Sequence, residues 1–495
     1  MVHRQRRRAV LGGLAVAVAV CVAWWALHPP RPLEPTADLY THLSVARHLG
    51  RGEGFLTGIA YPLSFAWPFA RTLPQPLLHR TPGYALLLAG PVAAAGGPQR
   101  AVAAARLVQI VLLGALVWLG SAAWLVRGRP GAAIGWAALL AAHPLLGYAV
   151  DWGHDELAAA LVLLAWWLRH RDGARPPAAA DGLLLGALAV LRPELLWLPP
   201  LWWLLRRPAR PRARALAACA VALAVVAGPW AVRNARLAAD PFFSLQAHAE
   251  HLKDTRTFPA YSVYRQLEPQ PLVATLLRDP EPVARKTWRG LVFFRRELGA
   301  FLPVPVAVAL LGCGLVLAGR RLAPRRRGAP VETPDQAGGP VADLGAVGLA
   351  LAATAALYAV FDHSVRHLEV LLPVAAWALG PWLAERPWAW VAARLGRRRL
   401  APPGWLAAAL AATVGLVVAL AWVRPPAGWD QTEAFAAQAA PLVAREVRLL
   451  QQAPPGVVFV QTAAAPWFAD RAAVWDPLDP QVRARIIALL EEGTP

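Results

Sequence analysis

Charged residues are scarce in this chain. They make up 16% of its 495 residues, whereas a soluble domain carries about a quarter. This scarcity excludes a water-soluble enzyme. Together with a hydrophobic content of 57%, it also excludes a disordered scaffold, which would be rich in charge and poor in apolar residues.

Cysteine is also rare. Cys21, Cys219 and Cys313 each fall within an apolar segment, which excludes a disulfide framework and a zinc cluster built on thiolates. Lysine is rarer still, since Lys253 and Lys286 are the only lysines among 50 basic residues. We interpret this skew toward arginine as a product of GC-rich coding.

Long hydrophobic runs make up most of the remaining sequence, and the mean hydropathy is +0.40. The apolar segments are about 16–25 residues long, which matches a hydrocarbon core of ~30 Å at a helical rise of about 1.5 Å per residue. They predict an all-α polytopic membrane protein with about 10–13 membrane helices, counting re-entrant and interfacial ones.

The net charge of +20 would raise the question of nucleic acid in a soluble protein. Here almost half of the basic residues lie in short clusters between apolar segments, as the positive-inside rule requires of cytoplasmic loops. The charge therefore indicates membrane lipid as a partner and no nucleic acid. The clusters are Arg4–Arg8, Arg127–Arg129, Arg169–Arg175, Arg206–Arg214, Arg320–Arg327 and Arg386–Arg399.

Placing every cluster in the cytoplasm predicts a multi-pass protein of a bacterial inner (plasma) membrane. The N-terminus is then cytoplasmic and the C-terminus periplasmic. The apolar piece Gly83–Ala95 is too short to span and is predicted to be interfacial or re-entrant. The predicted crossings are 9–28, 103–126, 131–150, 155–169, 213–231, 298–319, 345–361, 368–384 and 405–423.

The crossings divide the chain into a membrane domain, residues 1–424, and a small periplasmic C-terminal α/β cap, residues 425–495. The cap is predicted from a helix followed by two short apolar strands. Within the membrane domain, residues 29–102 form a first periplasmic loop with interfacial helices, and residues 232–297 form a large polar periplasmic loop.

The segment 182–206 differs from the predicted crossings. Both of its ends lie beside arginines that are predicted to be cytoplasmic, and Arg192-Pro193-Glu194 stands at its centre. A single crossing would bury these charges in mid-membrane, at a cost of at least ~3 kcal/mol each. Proline interrupts the helical hydrogen-bond ladder. The segment therefore predicts two half-helices that meet at Pro193 and line a protein cavity.

Polar residues on the predicted outer side fall in a few turns. The first contains Asp38, whose carboxylate could serve as a general base for an acceptor hydroxyl. Asp38 also fits a purely structural role. Thr36 is typical of a helix cap, and an acidic residue in the first turn of a helix is stabilised by the helix dipole. The other turns are His79–Tyr84 with Arg106 in the next span, Asp151–Glu156, Gly228–Asn234 and Asp362–His367.

The cations of these turns suit a phosphate, which accepts charge-assisted hydrogen bonds. Arginines at a membrane boundary also snorkel to lipid headgroups, and Trp230 beside Arg233 is typical of such a boundary. The residues alone leave both interpretations open for Arg80, Arg106, Arg233 and Arg366.

Taken in order, these motifs resemble the GT-C glycosyltransferases, most closely the group around the protein O-mannosyltransferases and the lipid A aminoarabinose transferases. The resemblance covers residues 9–245 well and the rest more loosely. Its elements are Asp38 after the first helix, Arg80-x-Pro82-Gly83-Tyr84, Ala105-Arg106-Leu107, the Glu156 turn, Arg192-Pro193-Glu194 and Pro229-Trp230-x-x-Arg233-Asn234.

The resemblance implies transfer of a hexosyl or pentosyl group from a polyprenyl-phosphate donor to an envelope acceptor, which is a lipid, a glycan or a protein. It implies Asp38 as the catalytic residue. It does not favour a divalent metal, because Leu39 follows Asp38 where some relatives carry a second acid. The substrate- or phosphate-binding candidates are Arg80, Arg106, Glu156, Arg233, Arg366 and His367.

Two other functions are compatible with a sequence of this kind. A transporter or flippase of a lipid-linked saccharide should carry its polar residues near mid-membrane, where only Arg192 and Glu194 are predicted here. A non-catalytic envelope-assembly protein that retains the fold is the third possibility, because fold does not determine function.

Reporter fusions test the predicted topology. Fusions after Ala70, Arg265 and Gln452 should report the periplasm, and fusions after Arg129, Arg175 and Arg327 the cytoplasm, because arginine clusters resist translocation. The discriminating site is Arg207, where a periplasmic signal would contradict the half-helix pair and reverse every later span.

Overall fold

The computed structural model describes residues 2–28, 38–170, 178–206, 213–302, 304–322, 340–379 and 429–492. The predicted crossing at 405–423 and the end of the one at 368–384 lie outside these residues. The helices are α1 Val2–Leu27, α2 Asp38–Gly50, α3 Gly83–Ala94, α4 Pro98–Val126, α5 Pro130–Ala142, α6 Pro144–Trp152, α7 Glu156–His170, α8 Ala179–Leu191, α9 Leu198–Arg206, α10 Ala213–Ala238, α11 Leu272–Arg278, α12 Glu281–Phe301, α13 Val304–Leu322, α14 Pro340–Phe361, α15 Trp429–Gln452, α16 Ala464–Ala469 and α17 Pro480–Glu492.

The protein is a polytopic helical membrane protein. Within the described residues, four helices are long and apolar enough to cross a bilayer, namely α1, α4, α10 and α14. Two further pairs, α5 with α6 and α12 with α13, pass the same test if each bent pair counts as one span.

The predicted crossing at 131–150 is not one straight helix. It bends by 57° between α5 and α6, at His143, because proline at position 144 removes a backbone donor and disfavours helix in the residue before it. The His143 ring stabilises the break: Nδ1 accepts from the Leu145 N–H at 3.2 Å, so Nε2 donates to the Phe301 carbonyl at 3.0 Å.

The external loop predicted at 232–297 contains regular structure. Helix α10 continues to Ala238, and α12 begins at Glu281. The bend of 117° between α12 and α13 means that α12 does not continue the span predicted at 298–319. Gly290 allows α12 to pack on α14, because a Cβ there would lie 2.5 Å from the Ala359 carbonyl oxygen.

Helices α8 and α9 form the hairpin expected around Pro193. Helix α8 runs parallel to α10, since Gly182 lies against Cys219 and Gly186 against Val226. Helix α9 then returns, and Trp202 packs on Trp167, near the end of α7. The break between the two helices therefore lies at the same end of the bundle as the start of α7.

Three short strands join two distant parts of the chain. Strand β5, Ala473–Trp475, lies between β2, Ile59–Ala60, and β4, Phe459–Val460, and both pairings are parallel. The sequence places β4 and β5 in a C-terminal unit of their own, but the sheet also includes β2 from the loop between α2 and α3. A separate antiparallel pair joins β1, Leu56–Thr57, to β3, Gln75–Pro76.

Helices α13 and α14 pack closely at glycine, which gives a direct stability test. A Cβ on Gly348 would lie 1.9 Å from the Leu310 carbonyl oxygen, whereas a Cβ on Gly312 would meet nothing within 4 Å. Gly348→Ala should therefore force the helices apart and destabilise the protein by about 1–3 kcal/mol. Gly312→Ala should be neutral or stabilise it by up to about 1 kcal/mol. Thermal unfolding in one detergent compares the two; equal melting temperatures would contradict this packing.

A candidate active site at the end of the bundle

Asp38 is the first residue of α2, so a helix-start role and a chemical role are both available to it. Its two oxygens are held by two arginines from distant parts of the chain. Arg80 Nη2 contacts Oδ1, and Arg366 Nη2 donates to Oδ2 at 2.8 Å. The structure therefore brings three of the predicted site residues into direct contact.

The two arginines control the charge of Asp38. Burial favours the neutral carboxyl, but Arg80 and Arg366 outweigh burial and hold the pKa of Asp38 below its ordinary value. Burial and the charge of Arg80 lower the pKa of His42 to about 3 and that of His79 well below its usual range. Asp38 is therefore ionised at neutral pH, and both neighbouring imidazoles are neutral.

A cavity of about 370 Å³ opens beside Asp38, and three parts of the chain line it. Asp38, Arg80 and Arg366 lie on the membrane-bundle side. The long loop between α10 and α12 contributes Lys253 and Tyr261, and the C-terminal segment contributes Trp475. The cavity falls within the size range of small-ligand sites.

Aromatic rings form one wall of this cavity. Trp475 packs edge-on against Tyr61 at 5.6 Å and against Tyr261 at 6.0 Å. Tyr148 and Trp152 also line the cavity, and their rings lie 5.9 Å apart. Aromatic surface beside charged groups suits a ligand that has both apolar faces and polar edges.

Glu156 and His367 lie behind Arg366, outside the cavity lining. Glu156 is 1% exposed and pairs with Arg192. His367 Nδ1 lies 3.2 Å from Glu156 Oε1, and its Nε2 lies 2.9 Å from Asp362 Oδ2. Both residues therefore support the site from behind.

Arg192 lies at the break between α8 and α9. Besides Glu156, it pairs with Asp155 at 2.6 Å and with Glu194 at 3.1 Å. The hairpin thus places the central charges of the 182–206 segment among opposite charges, which relieves the cost of burying them.

Arg106 and Arg233 lie apart from Asp38. Arg106 pairs with Asp151 at 3.1 Å and donates to the His28 carbonyl at 2.5 Å. Arg233 donates to the Leu77 carbonyl at 2.9 Å, and its guanidinium lies 4.6 Å from the centre of the Trp230 ring. Neither arginine lines the cavity beside Asp38.

Two further cavities reach the edge of the site. One, of about 200 Å³, shares Arg80 and His79 and extends between the α8–α9 break and the end of α10. The other is an apolar groove of about 730 Å³ between α1 and the bent pair α5–α6, and it shares Tyr148. Polar and apolar spaces therefore meet around Asp38.

His154, Glu156 and Glu369 place one ligand atom each within 4.8 Å of one another, which is close enough for a metal ion. These donors already have other partners, however. Arg192 already neutralises Glu156, and His154 pairs with Glu369 at 3.2 Å. A further positive charge would lie beside an arginine.

Three residues of the cavity wall were not predicted from the sequence, namely Lys253, Tyr61 and Trp475. Asp362 was part of a recognised turn, but its contact with Lys253 depends on the fold of a long external loop. The rarity of lysine was a usable signal for Lys253. Tyr61 and Trp475 carried no local signal, because only the pairing of β2 with β5 brings them together.

The whole chain can be compared with known proteins. No family model and no curated protein sequence matches it. Two solved structures of ArnT from Cupriavidus metallidurans are similar in three dimensions, each with a TM-score of 0.51 and 15% sequence identity.

The first of these structures, bound to undecaprenyl phosphate, is matched over 96% of this chain and 88% of its own. The second, in the apo state, is matched over 94% and 84%. ArnT is the lipid A aminoarabinose transferase, a GT-C enzyme, and so belongs to the group that the sequence motifs resemble. The chain therefore has the fold of the GT-C glycosyltransferase ArnT.

Proposed function

We propose that this protein is a GT-C glycosyltransferase that moves a hexosyl or pentosyl group from a polyprenyl-phosphate donor to an acceptor of the cell envelope, on the periplasmic face of the inner membrane. The observation that carries the proposal is the carboxylate of Asp38 held between Arg80 and Arg366 in a cavity at one end of a membrane bundle. A base and two phosphate-binding cations are the groups that this reaction needs.

The arginines suit the leaving group. When the sugar departs, negative charge increases on the phosphate that stays with the carrier. A guanidinium group can donate two parallel hydrogen bonds to two oxygens of that phosphate. One ArnT structure holds undecaprenyl phosphate, which supports a donor of this class. The apolar groove and the cavity beyond Arg80 offer space for lipid next to the reacting groups.

Asp38 cannot accept a proton readily while both of its oxygens are paired with arginine. The donor phosphate competes for the same guanidinium groups. Its binding therefore draws Arg80 and Arg366 away from Asp38 and raises the proton affinity of the carboxylate. In this mechanism the base becomes active only after the donor has bound.

The transfer step is a displacement at the anomeric carbon of the donor sugar. The acceptor hydroxyl gives its proton to Asp38 while its oxygen forms a bond to the anomeric carbon. The bond from that carbon to the phosphate oxygen breaks, and its electron pair leaves with the polyprenyl phosphate. Arg80 and Arg366 stabilise the charge that develops on the phosphate.

The positions of the charges favour an enzyme over a transporter. The contacts among Asp38, Arg80 and Arg366 lie at the ends of helices and in turns. Arg192 lies at the same end of the bundle because the α8–α9 hairpin reverses its direction there. A transporter would carry its substrate site between spans near the membrane centre.

Asp38→Asn tests the base. The amide keeps the size of the side chain but accepts no proton, so turnover should fall by about 10²–10⁴ while insertion and folding remain close to normal. Transfer by the purified variant from polyprenyl-phosphate sugars is the measurement. The matched control is Asp479→Asn, which changes an exposed aspartate immediately before α17 and should retain activity. Wild-type turnover in Asp38→Asn would leave Asp38 as a capping residue.

Arg366→Lys tests the phosphate contact. Lysine keeps the charge but loses the planar pair of donors, so donor or transition-state binding should weaken by about 1.5–3 kcal/mol. From its motif, Arg233→Lys is expected to do the same. The bonds of Arg233 to the Leu77 carbonyl and to Asn234 predict a smaller effect on donor binding. Kinetics with varied donor separate the two; if Arg366→Lys shows unchanged efficiency, Arg366 does not belong to the donor site.

A further inference from the structure

The two lysines of the chain lie together. Lys253 belongs to the loop between α10 and α12, and Lys286 lies on α12; they are 3% and 0% exposed. Every other one of the 50 basic residues is arginine. GC-rich coding accounts for the abundance of arginine but not for the convergence of both retained lysines on one buried place.

Lys253 joins the loop to the turn after α14. Its ammonium donates to Asp362 Oδ1 at 2.7 Å and pairs with Glu250 Oε1, also at 2.7 Å. It lies 4.7 Å from the centre of the Tyr261 ring. Burial alone would lower the pKa of Lys253, but Asp362 and Glu250 outweigh burial and raise it well above the ordinary value. The residue is therefore a fixed positive charge.

Lys286 reinforces the same junction. Its ammonium donates to the carbonyls of Glu250 at 2.5 Å and Phe361 at 2.6 Å. The Glu250 carboxylate also accepts from the hydroxyl of Tyr264. Two ammonium groups thus hold residues 361 and 362 against the external loop, at the start of the turn that carries Arg366.

The turn transmits this anchoring to Asp38. Asp362 binds Lys253 through Oδ1, and its Oδ2 lies 2.9 Å from His367 Nε2. Between them in sequence, Arg366 reaches Asp38. Fixing Asp362 from the loop side and His367 from the Glu156 side therefore fixes the direction in which Arg366 projects.

Arginine cannot replace lysine here without rearrangement. An ammonium is a compact charge whose three donors point in different directions, whereas a guanidinium is a wide planar fork. One oxygen of Asp362 and one of Glu250 each lie 2.7 Å from the Lys253 ammonium, which also lies over the Tyr261 ring. This geometry explains why lysine is retained in a chain that otherwise uses arginine.

We propose that Lys253, supported by Lys286, is a positioning residue for transfer: it fixes the 362–367 turn so that Arg366 pairs with Asp38 before the donor binds and with the donor phosphate afterwards. The proposal rests on the proposed function, because it assigns to Arg366 the role of a phosphate ligand. Lys253 acts through Asp362 and needs no contact of its own with the sugar or the carrier.

Binding of undecaprenyl phosphate to the purified full-length protein tests the proposal. Lys253→Met and Lys253→Arg should each weaken binding by about tenfold or more, because both disturb the turn. Arg285→Met is the matched control: Arg285 is an exposed cation on α12 paired with Glu281, and its loss should leave the affinity unchanged. Wild-type affinity in both Lys253 variants would overturn the proposal. If the wild-type protein itself binds no undecaprenyl phosphate, the proposed function fails instead.

A double-mutant cycle separates positioning from general stability. If Lys253 acts through Arg366, Lys253→Met combined with Arg366→Lys should bind no more weakly than the worse single variant, because coupled residues are not additive. Effects that multiply would assign Lys253 an independent structural role.

The variant Lys253→Met with Asp362→Asn guards against misfolding, since it removes both buried charges together. It should unfold close to the wild-type temperature and still bind undecaprenyl phosphate weakly. Restored wild-type binding in this pair would show that the anchor is not needed and would overturn the proposal.

Discussion

The contact of Asp38 with Arg80 and Arg366 is the interaction on which the rest of the site depends. Each partner comes from a different part of the chain: the start of α2, the loop before α3 and the turn after α14. None of these segments is held to the others by a long run of regular hydrogen bonds. Pairing of these three side chains therefore contributes to how the end of the bundle closes.

The irregular helices of the bundle supply the remaining partners. The α8–α9 break brings Arg192 to Asp155 and Glu156, and the end of α14 brings Asp362 to Lys253. A straight helix would keep its polar residues within the membrane, whereas a broken helix can present them at one end. The breaks in the helices thus bring the charged side chains close enough to pair.

Local patterns were enough to predict the membrane class, the half-helix pair at Pro193 and the turns that carry Asp38, Arg80 and Arg366. These features depend on hydrophobic length, on proline and on short motifs. The bend at His143 was not predicted, because residues 131–150 were taken as one crossing, although the proline at position 144 was a usable signal. The contacts of Lys253 and Trp475 were not predictable, because each needs a loop or strand to meet a segment far away in sequence. Arg106 and Arg233 share the chemistry of Arg80, and only the tertiary structure separates their partners.

The pairing of β5 with β2 has a consequence for biosynthesis. Strand β2 leaves the ribosome early and remains without its β5 neighbour until residues 473–475 have been made. Trp475 completes the cavity wall in the same step. A nascent chain that has already inserted α1 to α14 therefore carries Asp38 and both arginines around an incomplete pocket. The cavity is thus completed only late in synthesis, and a chain truncated before β5 would lack this wall.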